Sequence, residues 1–215
     1  MTPETLLSQF RTEVADTVQP YLWANSEIFR YINETQMRFV RIVGGIPDAT
    51  SAITTIVCAD GEEFVGVSPL IMKLRGVIRA SDGRAVNIIN YDDIEWDPTP
   101  LSSSNTGNIT TVITGMSANA LRLVPIPEGQ QTLKLVVDRL PAQIDQTSES
   151  FEIDPQHHYT LLEGIKALAY AKQDADTFDM ARATTHEQNF VRLATSARRE
   201  RERREHKHRN VAFSW

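Results

Sequence analysis

His157 and His158 are the side chains in this sequence best suited to metal or acid–base chemistry. On a helix, adjacent residues point about 100° apart, and no Cys or further His stands at a ligand spacing such as His-x-x-x-His. The pair therefore reads as capping or interface groups in a helix's first turn. Asp92, Asp93, Glu95 and Asp97 form an acidic cluster, but it lacks the alternating ligands, central Gly and closing Glu of a calcium loop. A solvated helical turn accounts for it. Cys58 is the single cysteine, which excludes an internal disulfide and a cysteine-cluster metal site. Its setting, ITTIVCAD, predicts a buried packing residue. No Gly-x-Ser-x-Gly, phosphate-cradling Gly-rich loop or zinc-protease motif occurs. These observations predict no catalytic residue, no metal and no cofactor, and the chain reads as a non-enzymatic protein.

The distinctive charge chemistry lies in ARRERERREHKHRNVAFSW, Ala197 to Trp215. Residues 198 to 209 hold seven Arg or Lys against three Glu, a net of +4 in a chain of net −6, so the remainder carries −10. An acidic body repels nucleic acid and acidic membrane surfaces, and only this segment attracts them. Arg198/Glu202, Glu200/Arg204, Arg201/Glu205 and Glu205/Arg209 are i,i+4 pairs, each adding about 0.2–0.5 kcal/mol to a helix in water. Val211, Phe213 and Trp215 then alternate, as suits an extended segment laid on a sheet edge or in a crevice. Burying such a Phe and Trp is worth several kcal/mol at about 25 cal/mol per Å², so a partner pocket is expected. Nucleic-acid binding through the Arg-rich helix is the rival reading. The three interspersed glutamates, the acidic body and the lack of a sustained heptad seam weigh against it.

These segments need elements to carry them. With 215 residues, 41% hydrophobic and 23% charged, the chain can bury a sizeable core. Its apolar runs fall short of the roughly 20 residues a membrane span needs, and MTPETLLSQF lacks a basic leader or apolar signal segment. Synthesis in the cytosol without export, and no membrane partner, are expected. Thr2-Pro3-Glu4 opens a first helix, with Leu6, Leu7, Phe10 and Val14 at helical spacing up to Asp16. Asn25 can cap a second, with a stripe of Ile28, Ile32, Phe39, Ile42 and Val43, stopped by Gly44-Gly45.

From about Thr50 to Leu140 the period becomes strand-like: Ile53–Val57, Phe64–Val67, Met72–Ala80, Arg84–Asn90, Ile109–Thr114, Ala120–Val124 and Thr132–Arg139. Ser81-Asp82-Gly83 predicts a tight hairpin, and the whole reads as a small antiparallel sheet or barrel. Asp97 to Asn108 reads as an exposed, mobile loop. Helical spacing returns after Asp154-Pro155, with Leu161, Leu162, Ile165, Leu168 and Ala169 facing a core. After a break near Asp174 to Thr177, a last helix with Met180, Ala183, Phe190, Ala194 and Ala197 on one side can run to about residue 208. At roughly 30 residues it would be about 45 Å long.

YLWANSEIFRYINETQMRF (Tyr21 to Phe39), the Asp-Gly hairpin, LVVDRLPAQI (Leu135 to Ile144) and IDPQHHYTLLEGIKALAYAKQDADTFDMARA (Ile153 to Ala183) resemble the head-to-tail adaptor, or connector, proteins of tailed bacteriophages, podovirus-type. The middle sheet region matches only in type. The resemblance implies an α+β fold: a helical bundle from the N- and C-terminal helices, an inserted antiparallel β module and a long C-terminal helix or arm. The parts would be 1–49 and 141–196 for the bundle, 50–140 for the β module and 197–215 for the arm. It also implies a homo-oligomeric ring, usually a dodecamer, between the capsid portal protein and a tail or nozzle protein in the virion neck. Genomic DNA would pass through its channel without specific binding. The docking residues would be Arg198, Arg199, Arg201, Arg203, Arg204, Lys207, Arg209, Val211, Phe213 and Trp215, with the arm ordering only when the portal offers pockets. A different tail or collar component is the remaining alternative.

Overall fold

A computed structural model describes residues 2–93, 105–148 and 150–206. Two compact units divide the chain, one formed by Met1–Gly44 with Pro141–Trp215 and the other by Gly45–Leu140.

In the first unit, α1 (Pro3–Glu13) starts where the Thr2 hydroxyl accepts the Thr5 N–H at 3.2 Å, with Pro3 in the first helical turn. It buries Leu6 and Phe10. The helix α2 (Asn25–Val43) is capped differently from expectation. Ala24 is the N-cap, and the Glu27 carboxylate reaches back to accept its N–H at 2.9 Å. The Asn25 side chain is occupied elsewhere, its Oδ1 accepting from Arg11 Nη2 at 2.5 Å. Ile28, Ile32 and Phe39 are buried as the stripe predicts, joined by Phe29, Tyr31 and Val40, while Ile42 and Val43 are half-buried. Gly44, at φ +99°, ends the helix in the left-handed region that a side chain disfavours.

Trp23 is enclosed between α1 and α3 (His158–Tyr170). Its ring meets Phe10 and Tyr170 edge-on at 5.6 and 6.0 Å, and its Nε1–H donates to Ala169 O at 3.1 Å. The last helix, α4 (Met180–His206), has 27 residues and is about 40 Å long. Ala183, Phe190, Ala194 and Ala197 are buried as expected, but Met180 is 57% exposed. As the first helical residue, Met180 precedes the turn where α4 settles onto α3.

The second unit is a curled, antiparallel-rich sheet. Its strands are β1 (Ile46–Asp48), β2 (Thr55–Cys58), β3 (Phe64–Gly66), β4 (Ile71–Arg79), β5 (Ala85–Asn90), β6 (Thr106–Gly107), β7 (Thr111–Ser117), β8 (Ala120–Val124), β9 (Ile126–Pro127) and β10 (Gln131–Arg139). The main sheet runs β1-β10-β4-β5-β7-β8-β3, with β2 also on β10, and β6 pairs with β9. Val77, Val86, Val112, Leu121, Leu123, Leu133, Leu135 and Cys58 form its core. Register shifts between β10 and β4 at Val136/Val137 and Asp138/Arg139 add the local bend that curls the sheet.

Two features depart from the expected antiparallel sheet. β5 and β7 pair in parallel, as do β6 and β9. A parallel neighbour needs a crossover of a dozen or more residues, and the 20 residues between Asn90 and Thr111 give that length. Thr106 and Gly107, within the expected loop, are paired strand residues, and Asp97 to Leu101 and Ser102 to Ser104 lie outside the described residues. The hairpin at 81–83 forms as predicted, with Gly83 at φ +69° and its N–H on Arg79 O at 3.0 Å. Buried Arg79 clamps it, with Nε and Nη2 on the two Asp82 oxygens at 3.0 and 2.6 Å and Nη1 on Ile109 O at 3.0 Å. The guanidinium holds the Asp82 carboxyl down at about 2.

Candidate docking helix

The N-terminal two-thirds of α4 is held in the first unit by close packing and by buried charge. Phe190 is fully buried against α3 at Gly164. A Cβ at Gly164 would lie 2.9 Å from Phe190 Cδ2 and closer still to Thr35 Cγ2 of α2. Glycine is therefore what lets the three helices approach. Arg38 of α2 covers the Phe190 ring at 4.9 Å and pairs with Glu187.

Next to this contact is a polar network that composition and periodicity did not single out. Glu163, 2% exposed, takes hydrogen bonds at Oε2 from His186 Nδ1 at 3.0 Å and Asn189 Nδ2 at 3.1 Å, and at Oε1 from Lys166 Nζ at 3.1 Å. Lys166 also pairs with Glu13 of α1. Burial pushes the Glu163 carboxyl up, but hydrogen bonds from His186, Lys166 and Asn189 together outweigh it and leave it below its ordinary value. Burial likewise pushes Lys166 down, and its bonds to Glu13 and Glu163 reverse that to a net rise. The sequence signal was the Glu163-x-x-Lys166 pair inside an apolar stripe and His186-x-x-Asn189 on the following helix. The His186 ring also stacks on Tyr170 at 5.8 Å.

After Ala197 no α4 side chain described is buried. Three intrahelical pairs form: Arg198–Glu202 at 2.8 Å, Arg201–Glu205 at 3.0 Å and Arg204–Glu200 at 2.5 Å. Arg198, Arg199, Arg203 and Arg204 are exposed, and Arg201 is half-buried beside Gly44 at the end of α2. Lys207, Arg209, Val211, Phe213 and Trp215 lie outside the described residues, as does the Glu205–Arg209 pair.

The other candidates are structural in their surroundings. His157 stacks obliquely on Phe39 at 5.2 Å. Buried His158 donates from Nε2 to Ile153 O at 2.9 Å, and burial holds it below its ordinary value. Cys58 is buried, and burial with the nearby Glu62 charge pushes its thiol up to about 11. Tyr91–Asp93 is a single 3-10 turn holding Asp92 and Asp93, while Glu95 and Asp97 lie outside the described residues. Among the described residues no group of three or more His, Cys, Asp and Glu is placed to hold a metal.

The profile of one family, SU10 adaptor protein, matches residues 1–212, nearly the full length of the chain. The chain belongs to the SU10 adaptor protein family. The resemblance to phage head-to-tail adaptors, drawn from short segments, thus extends over both units. No curated protein matches the chain. For an SU10 adaptor protein, contacts with other virion proteins are the functional sites to look for, and α4 is the longest element available to make them. Among the described residues of this adaptor no helix is long and apolar enough to cross a membrane.

Proposed function

We propose that this phage adaptor forms a homo-oligomeric ring, of twelve copies, that joins the capsid portal to the tail in the virion neck and extends the DNA channel. The observation that carries the reading is the family match over residues 1–212. The form of α4 supports it: a helix fixed at one end by buried contacts and presenting a charged, largely exposed stretch at the other. Residues 1–49 and 141–196 are the helical bundle of the subunit, 50–140 the inserted β module facing the tail side or neighbouring subunits, and 197–215 the docking arm. In that arm the charged residues Arg198, Arg199, Arg201, Arg203, Arg204, Lys207 and Arg209 are the stem, and Val211, Phe213 and Trp215 fill crevices of the portal. The tail or nozzle protein binds the opposite side. The function is structural and needs no catalytic group, and the net −10 outside residues 198–209 suits a channel wall along which DNA must move.

The test is a pair of variants of the full chain, with the last five residues deleted or with Phe213→Ala and Trp215→Ala combined. Both are expected to keep the circular dichroism of the parent, to form a ring with a central hole in electron micrographs, and to lose attachment to portal-bearing heads. Normal attachment by either variant would refute the docking role, and particles without a hole in the parent protein would refute the ring.

A further inference from the structure

The charges of α4 are not spread evenly around the helix. At about 100° per residue, Arg192, Arg199 and Arg203 fall within roughly 40° of one line. That line is opposite the buried one formed by Ala183, Phe190, Ala194 and Ala197. All three arginines are exposed, and among the described residues no ion pair or hydrogen bond engages them. The three glutamates of the stem sit away from this line, and each is bonded to another arginine: Glu202 to Arg198, Glu205 to Arg201 and Glu200 to Arg204. The other exposed residues on the same line are Ala181, Thr185, Gln188 and Ser196. For about 27 Å of helix, from Thr185 to Arg203, the outer face therefore offers guanidinium, hydroxyl and amide groups, with neither a carboxylate nor a large apolar side chain.

This composition distinguishes between partner classes. Protein–protein interfaces are built around apolar and aromatic anchors, and this face has none. Protein–DNA interfaces are polar and strongly positive, and Arg, Ser, Thr and Gln are the side chains that contact phosphates without reading bases. The glutamates, which weigh against nucleic acid when the segment is read as a string, are spent on neighbouring arginines and leave this face basic. The acidity of the remaining chain is no obstacle at contact range, because exposed charges are largely screened beyond about 8 Å at physiological salt.

We infer that the Arg192–Arg199–Arg203 face of α4 contacts the sugar–phosphate backbone of duplex DNA without sequence preference. The inference rests on the ring-and-channel reading only for where the DNA is met. Contacts to phosphate alone carry no base readout and are salt-labile.

The test compares two full-length variants of equal charge, Arg199→Gln with Arg203→Gln and Arg198→Gln with Arg204→Gln. Binding to a short duplex of mixed sequence is followed by fluorescence anisotropy across a salt series, with micrographs of the same samples. The parent is expected to bind, with affinity falling as salt rises. The first variant should lose at least about tenfold in affinity and flatten the log–log salt slope by about 1.8 for each chain in contact with the duplex, at about 0.9 per contact. The second should stay within about twofold of the parent. Equal losses in the two variants would reduce the effect to bulk charge, and absence of binding by the parent, or retained DNA binding by the first variant with lost attachment to portal protein, would assign the face to an acidic protein; each result overturns the inference. The ring stands or falls separately, on whether the micrographs show a hole.

Discussion

Gly164→Ala isolates the contact that seats α4. In an exposed helix interior this change stabilises by about 1 kcal/mol, because alanine restricts the unfolded chain and suits the helix. Here the new methyl would sit 2.9 Å from Phe190 Cδ2, half an ångström inside the 3.4 Å at which ordinary contact begins, and nearer still to Thr35 Cγ2. Neither neighbour yields cheaply. Phe190 and Thr35 are both 0% exposed, and threonine on a helix has few rotamers. Overpacking a rigid core costs about 1–3 kcal/mol, and with two stiff neighbours the upper half of that range applies. Subtracting the helical gain leaves a net loss of about 1–2 kcal/mol. Urea unfolding followed by circular dichroism at the helix band measures it, and Thr35→Ser provides the internal control. That substitution removes Cγ2 while keeping the hydroxyl, so the double variant should recover about 1 kcal/mol relative to the sum of the singles. A Gly164→Ala protein more stable than the parent, or strictly additive singles, would refute the close-approach reasoning.

Glu163→Gln leaves Lys166 with Glu13 alone and removes the anionic acceptor of His186 and Asn189. Breaking a buried pair costs about 3–5 kcal/mol, so a loss near 3 kcal/mol is expected at neutral pH by denaturant titration. Because the folded-state carboxyl lies below its ordinary value of 4.5, the parent holds this stability above that pH and loses it as pH falls further. The gap between parent and variant should therefore close in acid, and a constant gap would refute the assignment. His158 acts in a higher window. Its folded value lies below the ordinary 6.5, so folding favours the neutral ring, and stability is full above 6.5 and declines as pH drops through the folded value. His158→Gln, which keeps a donor for Ile153 O, should flatten the decline of thermal midpoint below about pH 6.5, whereas an unchanged slope would remove His158 as its source.

How much could be read ahead of the structure depends on whether a feature is local. The tight turn at Asp82-Gly83 is legible because Asp-Gly tolerates the positive φ of a tight turn, and the turn forms with Gly83 at φ +69°. The clamp that secures it is not legible, since Arg79 reaches Ile109 O only after 30 residues of sheet have been placed. Strand positions follow from alternation, but the parallel pairing of β5 with β7 does not, because alternation is the same for either direction. On α3 the stripe Leu161, Leu162 and Ile165 is buried as periodicity predicts. Glu163 and Gly164 lie between those residues and gain meaning only from α2 and α4, whose contributing residues are up to 129 positions away along the chain. The three i,i+4 pairs of the stem that fall wholly among the described residues are local and form as written.

What the pairs leave behind is the less obvious consequence. Three surface ion pairs contribute about 1 kcal/mol together, too little to hold a helix by themselves against the cost of ordering the residues they join. From Arg198 to His206 the stem is helical because it continues a turn already set by Phe190, Ala194 and Ala197, where nucleation has been met by tertiary burial. The glutamates therefore matter less for stability than for arrangement. By engaging Arg198, Arg201 and Arg204 they leave, among the described residues of the stem, the uncompensated charge on the single line of Arg199 and Arg203, which joins Arg192 opposite the buried side. A stem with the same net charge but no glutamates would be basic all round and would bind phosphate in any orientation. The pattern present here instead gives α4 a direction, with its packing side set by apolar residues and its charged side set by subtraction.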